Sequence, residues 1–258
     1  MENILIMKNI LSKFHVDLTT YILLLIYFLC GYIKNALIIY LIVIFHELGH
    51  IIISYYYGYK IKKITIYPFG GITETDNYLN SPLKEDLFVF SGGFLFQIIL
   101  SIIFNLLPIF SINFLNLFNK YNGFIFIFNL LPIIPLDGYL ILNVILNKIF
   151  SYYKCLWISL FVSVFTLIGF IYFYRDNYPI ILFLFFNLIN YLKNIDILFN
   201  RFILERYLYN FKYNKIKYYK KPNLRYLTKD CLGYFADKSK YVNEKIILAK
   251  KFDKSRSF

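Results

Sequence analysis

The sequence predicts an all-α polytopic membrane protein of about six transmembrane helices, with a small β-hairpin after the second and a short basic cytoplasmic tail. Three observations predict it. Of the 258 residues, 59% are hydrophobic and 17% charged, whereas an ordinary soluble domain is about 45–50% apolar and about 25% charged. The apolar excess is clustered: neither Leu87–Phe110 nor Cys155–Tyr174 holds a charged side chain, and crossing a hydrocarbon core takes roughly 20 residues of helix. The positive charge is clustered too, with 16 of the 28 Lys and Arg residues in 201–258. A soluble globular enzyme and a disordered chain are both excluded. Ile, Asn, Lys, Tyr and Phe, the residues AT-rich codons favour, are abundant throughout, so aromatic stripes carry little weight.

The first apolar run, 18–33, follows Lys8 and Lys13 as a signal peptide would. No small-residue cleavage site comes after it, so it reads as an uncleaved first span. Further spans are expected at about 36–57, 87–110, 121–147, 155–174 and 178–199. The connectors are short except for 58–86. There, Lys63–Tyr67 alternates, Pro68-Phe69-Gly70-Gly71 is turn chemistry, and Ile72–Thr75 returns. This predicts a hairpin over 62–75, whose edge can hold an extended substrate by main-chain pairing.

Six spans put both termini on one side. That side holds Lys8, Lys13, Lys60, Lys62, Lys63, Lys84, Lys148, Lys154, Lys193 and the whole tail; the other holds Lys34, Lys120 and Arg175. Positive residues stay cytoplasmic, so both termini are assigned to the cytosol. The tail carries 16 basic and 5 acidic residues within 201–258. It has no nucleic-acid-binding module and reads as a region facing anionic lipid, attracted by about 1 kcal/mol per basic residue. The domain division is therefore a membrane-embedded part, 1–199, and a basic cytoplasmic tail, 200–258. Cys30, Cys155 and Cys231 form no CxxC pattern and read as inert thiols rather than a disulfide framework.

Two of the three histidines lie in Phe45-His46-Glu47-Leu48-Gly49-His50. Four residues of helix turn through about 400°, which puts His46 and His50 on one face, one turn apart. That spacing suits two ligands of one Zn²⁺, with Glu47 about 100° around and able to act as a base. Such a motif is common by chance in soluble helices. Here, however, Glu47 is the only charged residue of 36–57, and a carboxylate at the centre of a membrane helix costs about 2.5–3.5 kcal/mol on insertion scales. A bound dication makes it tolerable.

A catalytic zinc site takes three protein ligands. His15 precedes the first span and suits an ordinary polar or gating role. Ile53 and Tyr57 occupy the positions at which an extended soluble motif has Gly and a third His, and Glu74 falls in a polar connector with Asp76. Asp137 is the better candidate. It is the only charged residue of 121–147 and lies in Asn129-Leu130-Leu131-Pro132-Ile133-Ile134-Pro135-Leu136-Asp137-Gly138. Spans two and four run in the same direction, and at about 1.5 Å per residue His46, His50 and Asp137 share one depth. Pro132, Pro135 and Gly138 are expected to unwind the fourth span, and broken backbone at that depth lies in protein or lines a wet cavity.

These pieces together resemble the site-2 protease family of intramembrane zinc metalloproteases, in particular the stage IV sporulation protein FB branch. The resembling residues are His46–His50, Pro68–Gly71, Asn129–Gly138 and Arg201-Phe202-Ile203-Leu204-Glu205-Arg206-Tyr207. The resemblance implies one Zn²⁺ per chain held by His46, His50 and Asp137, with Glu47 as general base. It also implies substrate-placing roles for Asn129 and Pro135. The implied substrate is a membrane-associated protein, of the kind of the sigma-K precursor; the implied partners are inhibitory membrane proteins, in a bacterial cell membrane. Where many relatives have Gly-Pro followed by Asn in the third span, this chain has Gly92-Gly93-Phe94-Leu95-Phe96-Gln97. The tail has room for at most a reduced CBS-like region, and no inserted PDZ domain is visible. A metal-ion transporter is the alternative reading, but its ligands would be staged along a path. An inactive partner-binding relative is the other, and it would not need all four of His46, Glu47, His50 and Asp137.

Overall fold

The computed structural model describes residues 13–67, 70–75, 79–213, 215–237 and 240–253. They cluster into two units, 1–77 with 88–130 and 78–87 with 131–258. Pro68 and Phe69, expected at the hairpin turn, lie outside the described residues, as does Asp76.

The first unit opens with a three-residue strand, β1 (Phe14–Val16), and a helix, α1 (Leu18–Leu29). Asp17 caps α1, accepting from the Thr19 amide at 3.0 Å. That bond and one from the Thr19 hydroxyl hold the Asp17 carboxyl below the usual carboxylate range. The helix ends at Leu29, and Gly31 follows at φ +78, a left-handed conformation that glycine adopts without strain. Twelve residues of helix span about 18 Å, well short of the roughly 30 Å hydrocarbon core. The span expected over 18–33 is thus a short apolar helix closed by a glycine turn.

The next helix, α2 (Ile33–Tyr56), has 24 residues. It is followed by β2 (Ile61–Tyr67) and β3 (Gly70–Thr75), an antiparallel pair with Thr65 opposite Ile72 and Ile66 opposite Gly71. β1 adds to β2 in parallel, His15 opposite Thr65, giving the sheet order β1-β2-β3. His15 is thus an exposed strand residue. Two more helices follow, α3 (Leu83–Leu106) and α4 (Ile112–Leu130). Ile38, Ile42, Leu100 and Phe118 form a buried cluster between α2, α3 and α4.

α2 and α3 approach closely where two glycines face each other. A Cβ on Gly49 would stand 2.2 Å from the Gly92 carbonyl oxygen, and one on Gly92 would stand 2.7 Å from that of Gly49. Backbone meets backbone there, as membrane helices do where small residues face each other.

The second unit starts where the fourth expected span breaks. Residues 131–136 are not helical; the Ile133 amide donates to the Leu131 carbonyl at 2.8 Å and the Leu136 amide to Ile133 at 2.7 Å. The Ile134–Pro135 bond is cis, and the Ser163 hydroxyl donates to the Pro132 carbonyl at 3.0 Å. The freed polar groups are re-satisfied locally, which broken backbone in an apolar setting requires. Helix then resumes as α5 (Asp137–Asn147), α6 (Tyr152–Tyr174) and α7 (Tyr178–Leu208).

Among the described residues four helices, α2, α3, α6 and α7, are long and apolar enough to cross a membrane. α4 has the length but interleaves Asn113, Asn116, Asn119, Lys120 and Asn122. On α6, Phe161, Phe165, Ile168 and Tyr172 are 59–80% exposed, while Ser159, Ser163 and Leu167 are buried. Large apolar side chains left exposed along one face of a helix suit lipid better than water.

The tail is folded, so the protein is mostly helical with two small sheets rather than all-α. β4 (Lys215–Tyr219) pairs in parallel with β5 (Cys231–Asp237), and β5 pairs antiparallel with β6 (Lys240–Asn243), before a final helix, α8 (Glu244–Phe252). Its centre is Arg206 of α7, 1% exposed. The guanidinium donates to Glu244 at 3.0 Å, Asn80 Oδ1 at 2.7 Å, and the carbonyls of Thr228 at 2.7 Å and Cys231 at 3.1 Å. Beside it, Glu205 accepts from the Leu79 amide at 2.7 Å. Burial pushes the Glu244 carboxyl above its ordinary value, and Arg206 and the Gly233 amide oppose that.

Candidate metal centre

His46, Glu47 and His50 are all buried, at 3%, 5% and 7% exposure. They lie on α2, whose helical repeat brings the imidazoles together as their spacing predicts. The two Nε2 atoms are 3.1 Å apart.

Each ring is held by its other nitrogen. His50 Nδ1 is 2.7 Å from the Val89 carbonyl oxygen. A carbonyl only accepts, so His50 carries its proton on Nδ1. His46 Nδ1 is 3.1 Å from Gln97 Oε1, and Gln97 Nε2 donates to Asn122 Oδ1 at 3.3 Å. This orientation makes His46 Nδ1 a donor as well. In the neutral imidazoles both Nε2 atoms are then lone-pair donors, and they face each other. Two lone pairs that close favour a cation or a proton between them. That is the arrangement of imidazoles that ligate a metal through Nε2 while donating from Nδ1.

The surroundings are shaped to the rings. A Cβ on Gly93 would stand 2.4 Å from the His46 ring, so the second glycine of Gly92-Gly93 makes room for the imidazole. Phe94 meets His46 edge-on, with centroids 5.7 Å apart, and itself packs on Phe126 at 5.1 Å.

Glu47 faces the sheet. The Thr73 hydroxyl of β3 donates to Glu47 Oε2 at 2.8 Å, and a Cβ on Gly71 would stand 2.4 Å from Glu47 Cγ. The returning strand of the hairpin therefore lies directly on the carboxylate. Sequence reasoning found the hairpin but not this contact.

Of the other candidates, Asn129 is half-buried near the end of α4 in the first unit. In the second unit, Pro135 is exposed in the non-helical stretch and Asp137 is the half-buried first residue of α5. Gln97 and Asn122 were missed. The available signal was chemical: Gln97 and Asn105 are the only amide side chains in the charge-free run Leu87–Phe110.

The fold is similar to that of the site-2 protease from Methanocaldococcus jannaschii, which superposes with a TM-score of 0.51 at 24% identity, covering 69% of this chain and 89% of that one. Residues 34–113, which include His46, Glu47, His50, Val89, Gly93 and Gln97, match the model of peptidase family M50. The chain is also 35% identical over 149 residues to stage IV sporulation protein FB of Bacillus subtilis (strain 168), covering 57% of this chain and 52% of that one. It is 34% identical over 127 residues to a zinc metalloprotease of Methanocaldococcus jannaschii, covering 46% of this chain and 36% of that one. The chain thus spans about half the length of the first of these relatives and about a third of the second.

Proposed function

We propose that this chain is an intramembrane zinc metalloendopeptidase that hydrolyses a peptide bond in or near a membrane-associated segment of a protein substrate. The observation that carries the reading is the pair of imidazoles with Nε2 atoms 3.1 Å apart, each holding its proton on the far nitrogen, with the carboxylate of Asp137 proposed as the third ligand and the buried Glu47 beside them as base. Two neutral imidazoles and a carboxylate are a donor set that zinc takes.

In this proposal His46, His50 and Asp137 hold one zinc ion per chain. When bound, zinc supplies a Lewis acid that makes water acidic near neutral pH and offsets charge building on the scissile carbonyl oxygen. Glu47 is the general base: its carboxylate takes the proton that water loses on attacking the carbonyl carbon, then delivers it to the leaving amide nitrogen. Thr73 keeps the carboxylate aimed, its hydrogen bond occupying Oε2. The apolar wall of Phe94 and Phe126 limits the water that reaches the site. Asn129 and Pro135 place the substrate, and the hairpin edge pairs with its extended backbone.

Similarity to stage IV sporulation protein FB supports a finer proposal. The substrate is a membrane-associated sporulation sigma-factor precursor of the sigma-K type, and inhibitory membrane proteins hold the enzyme silent in the bacterial cell membrane. Residues 1–199 form the membrane-embedded protease part and 200–258 a basic cytoplasmic part facing anionic lipid. Co-expression with candidate precursors tests the reading. A shortened product is expected from the wild type and none from Glu47→Gln, which still holds zinc; full activity in Glu47→Gln removes the base from the mechanism.

A further inference from the structure

Gln97 is completely buried, at 0% exposure, on a helix face that is otherwise apolar. An unsatisfied amide there costs several kcal/mol in a lipid setting, and both of its ends are satisfied within the first unit. Oε1 lies 3.1 Å from His46 Nδ1 and Nε2 donates to Asn122 Oδ1 at 3.3 Å. Asn122 is itself buried, at 8%. Three helices therefore contribute one link each: His46 from α2, Gln97 from α3, Asn122 from α4.

The two imidazoles are held by different means. His50 is oriented by a main-chain carbonyl, which no substitution of Val89 removes. His46 depends on a side chain, and a primary amide can present either end. If Gln97 turned its Nε2 toward the ring, His46 Nδ1 would have to accept, the proton would move to Nε2, and the lone pair facing His50 would be lost. In the structure Asn122 Oδ1 accepts from Gln97 Nε2, which leaves Gln97 Oε1 as the end that faces the ring.

We infer that Gln97 is a positioning residue for the metal, with Asn122 as its orienting partner: the pair fixes the His46 proton on Nδ1 and so keeps Nε2 available as a ligand. The inference rests on the reading of His46 as a zinc ligand, which it deepens. Outer partners of this kind are worth about 10–100-fold in metal affinity.

The test uses the full-length protein in detergent, with zinc affinity measured by competition against a chromophoric chelator and the His46 tautomer measured by ¹⁵N NMR on the metal-free protein. Gln97→Met keeps the length and apolar fit but removes the acceptor; Gln97→Glu keeps the acceptor, with Asn122 free to rotate and donate to the carboxylate. Zinc is expected to bind about 10–100-fold more weakly in Gln97→Met and as tightly as wild type, or tighter, in Gln97→Glu. Metal-free wild type should show a single His46 tautomer protonated at Nδ1, and Gln97→Met a mixture. A merely structural Gln97 predicts the opposite order, because burying a carboxylate harms packing more than burying a thioether. Wild-type zinc affinity in Gln97→Met, or an unchanged tautomer, overturns the inference while leaving the metal site standing. A wild-type protein that takes up no zinc, yet shows the same tautomer shift, overturns the metal reading instead.

Discussion

Glu47 and Thr73 come from elements 26 residues apart and meet through one hydrogen bond of 2.8 Å. A hydrogen bond to a charged group contributes about 1.5–3 kcal/mol, so Thr73→Val is expected to lower kcat roughly ten- to a hundredfold with KM and zinc content unchanged. Steady-state kinetics on a peptide spanning the cleavage site checks this. Glycines give a second prediction. Gly49→Ala puts a methyl group 2.2 Å from the Gly92 carbonyl and should cost about 1–3 kcal/mol, as overpacking does. Gly123→Ala meets nothing within 4 Å and should stabilise α4 by about 0.5–1 kcal/mol. Thermal melts in one detergent compare the two. At this scale His46, Glu47 and His50 were legible because a helix turns their spacing into a shared face. Gln97 and Thr73 were not, since their roles arise only when α3 and β3 are brought against α2.

Among the elements, Pro132 and Pro135 announced the break before Asp137, because proline removes a donor wherever it falls. The strand β1 gave no such notice: three residues, Phe14-His15-Val16, pair with a partner some fifty residues away. The span expected over 18–33 shows as a shorter apolar helix, because apolar composition sets no length; α1 ends at Leu29, with Gly31 just beyond it. The fold of the tail was not legible in its Lys, Tyr and Asn content, which reads as a basic region facing anionic lipid; it shows once Arg206 is seen at its centre. Removing one partner of a buried ion pair costs about 3–5 kcal/mol, so Arg206→Ala should melt β4–β6 and α8. Arg206→Met combined with Glu244→Leu should recover only part of the loss: neither charge is then left buried alone, but Asn80 Oδ1 and the carbonyls of Thr228 and Cys231 lose the guanidinium as donor. Limited proteolysis within 215–253 reads both outcomes.

For the molecule as a whole, a membrane protein with a tail rich in lysine was visible in composition alone; six spans were expected, and four helices among the described residues are long and apolar enough to cross. The division of the described residues into two units was not, since it depends on which helices close on each other. A ligand that binds only the folded state stabilises it by about 4 kcal/mol at a thousandfold excess over Kd. Zinc restored to chelator-stripped protein should therefore raise the melting temperature, and the rise should vanish in His46→Ala. The close contacts at Gly49, Gly71, Gly92 and Gly93 bear on inheritance as well as packing. Every missense change of a glycine codon adds at least a β-carbon, so no codon drift at these four positions is conservative. A saturation library selected for function should return glycine alone at each, while Gly123 and Gly169 accept replacements freely.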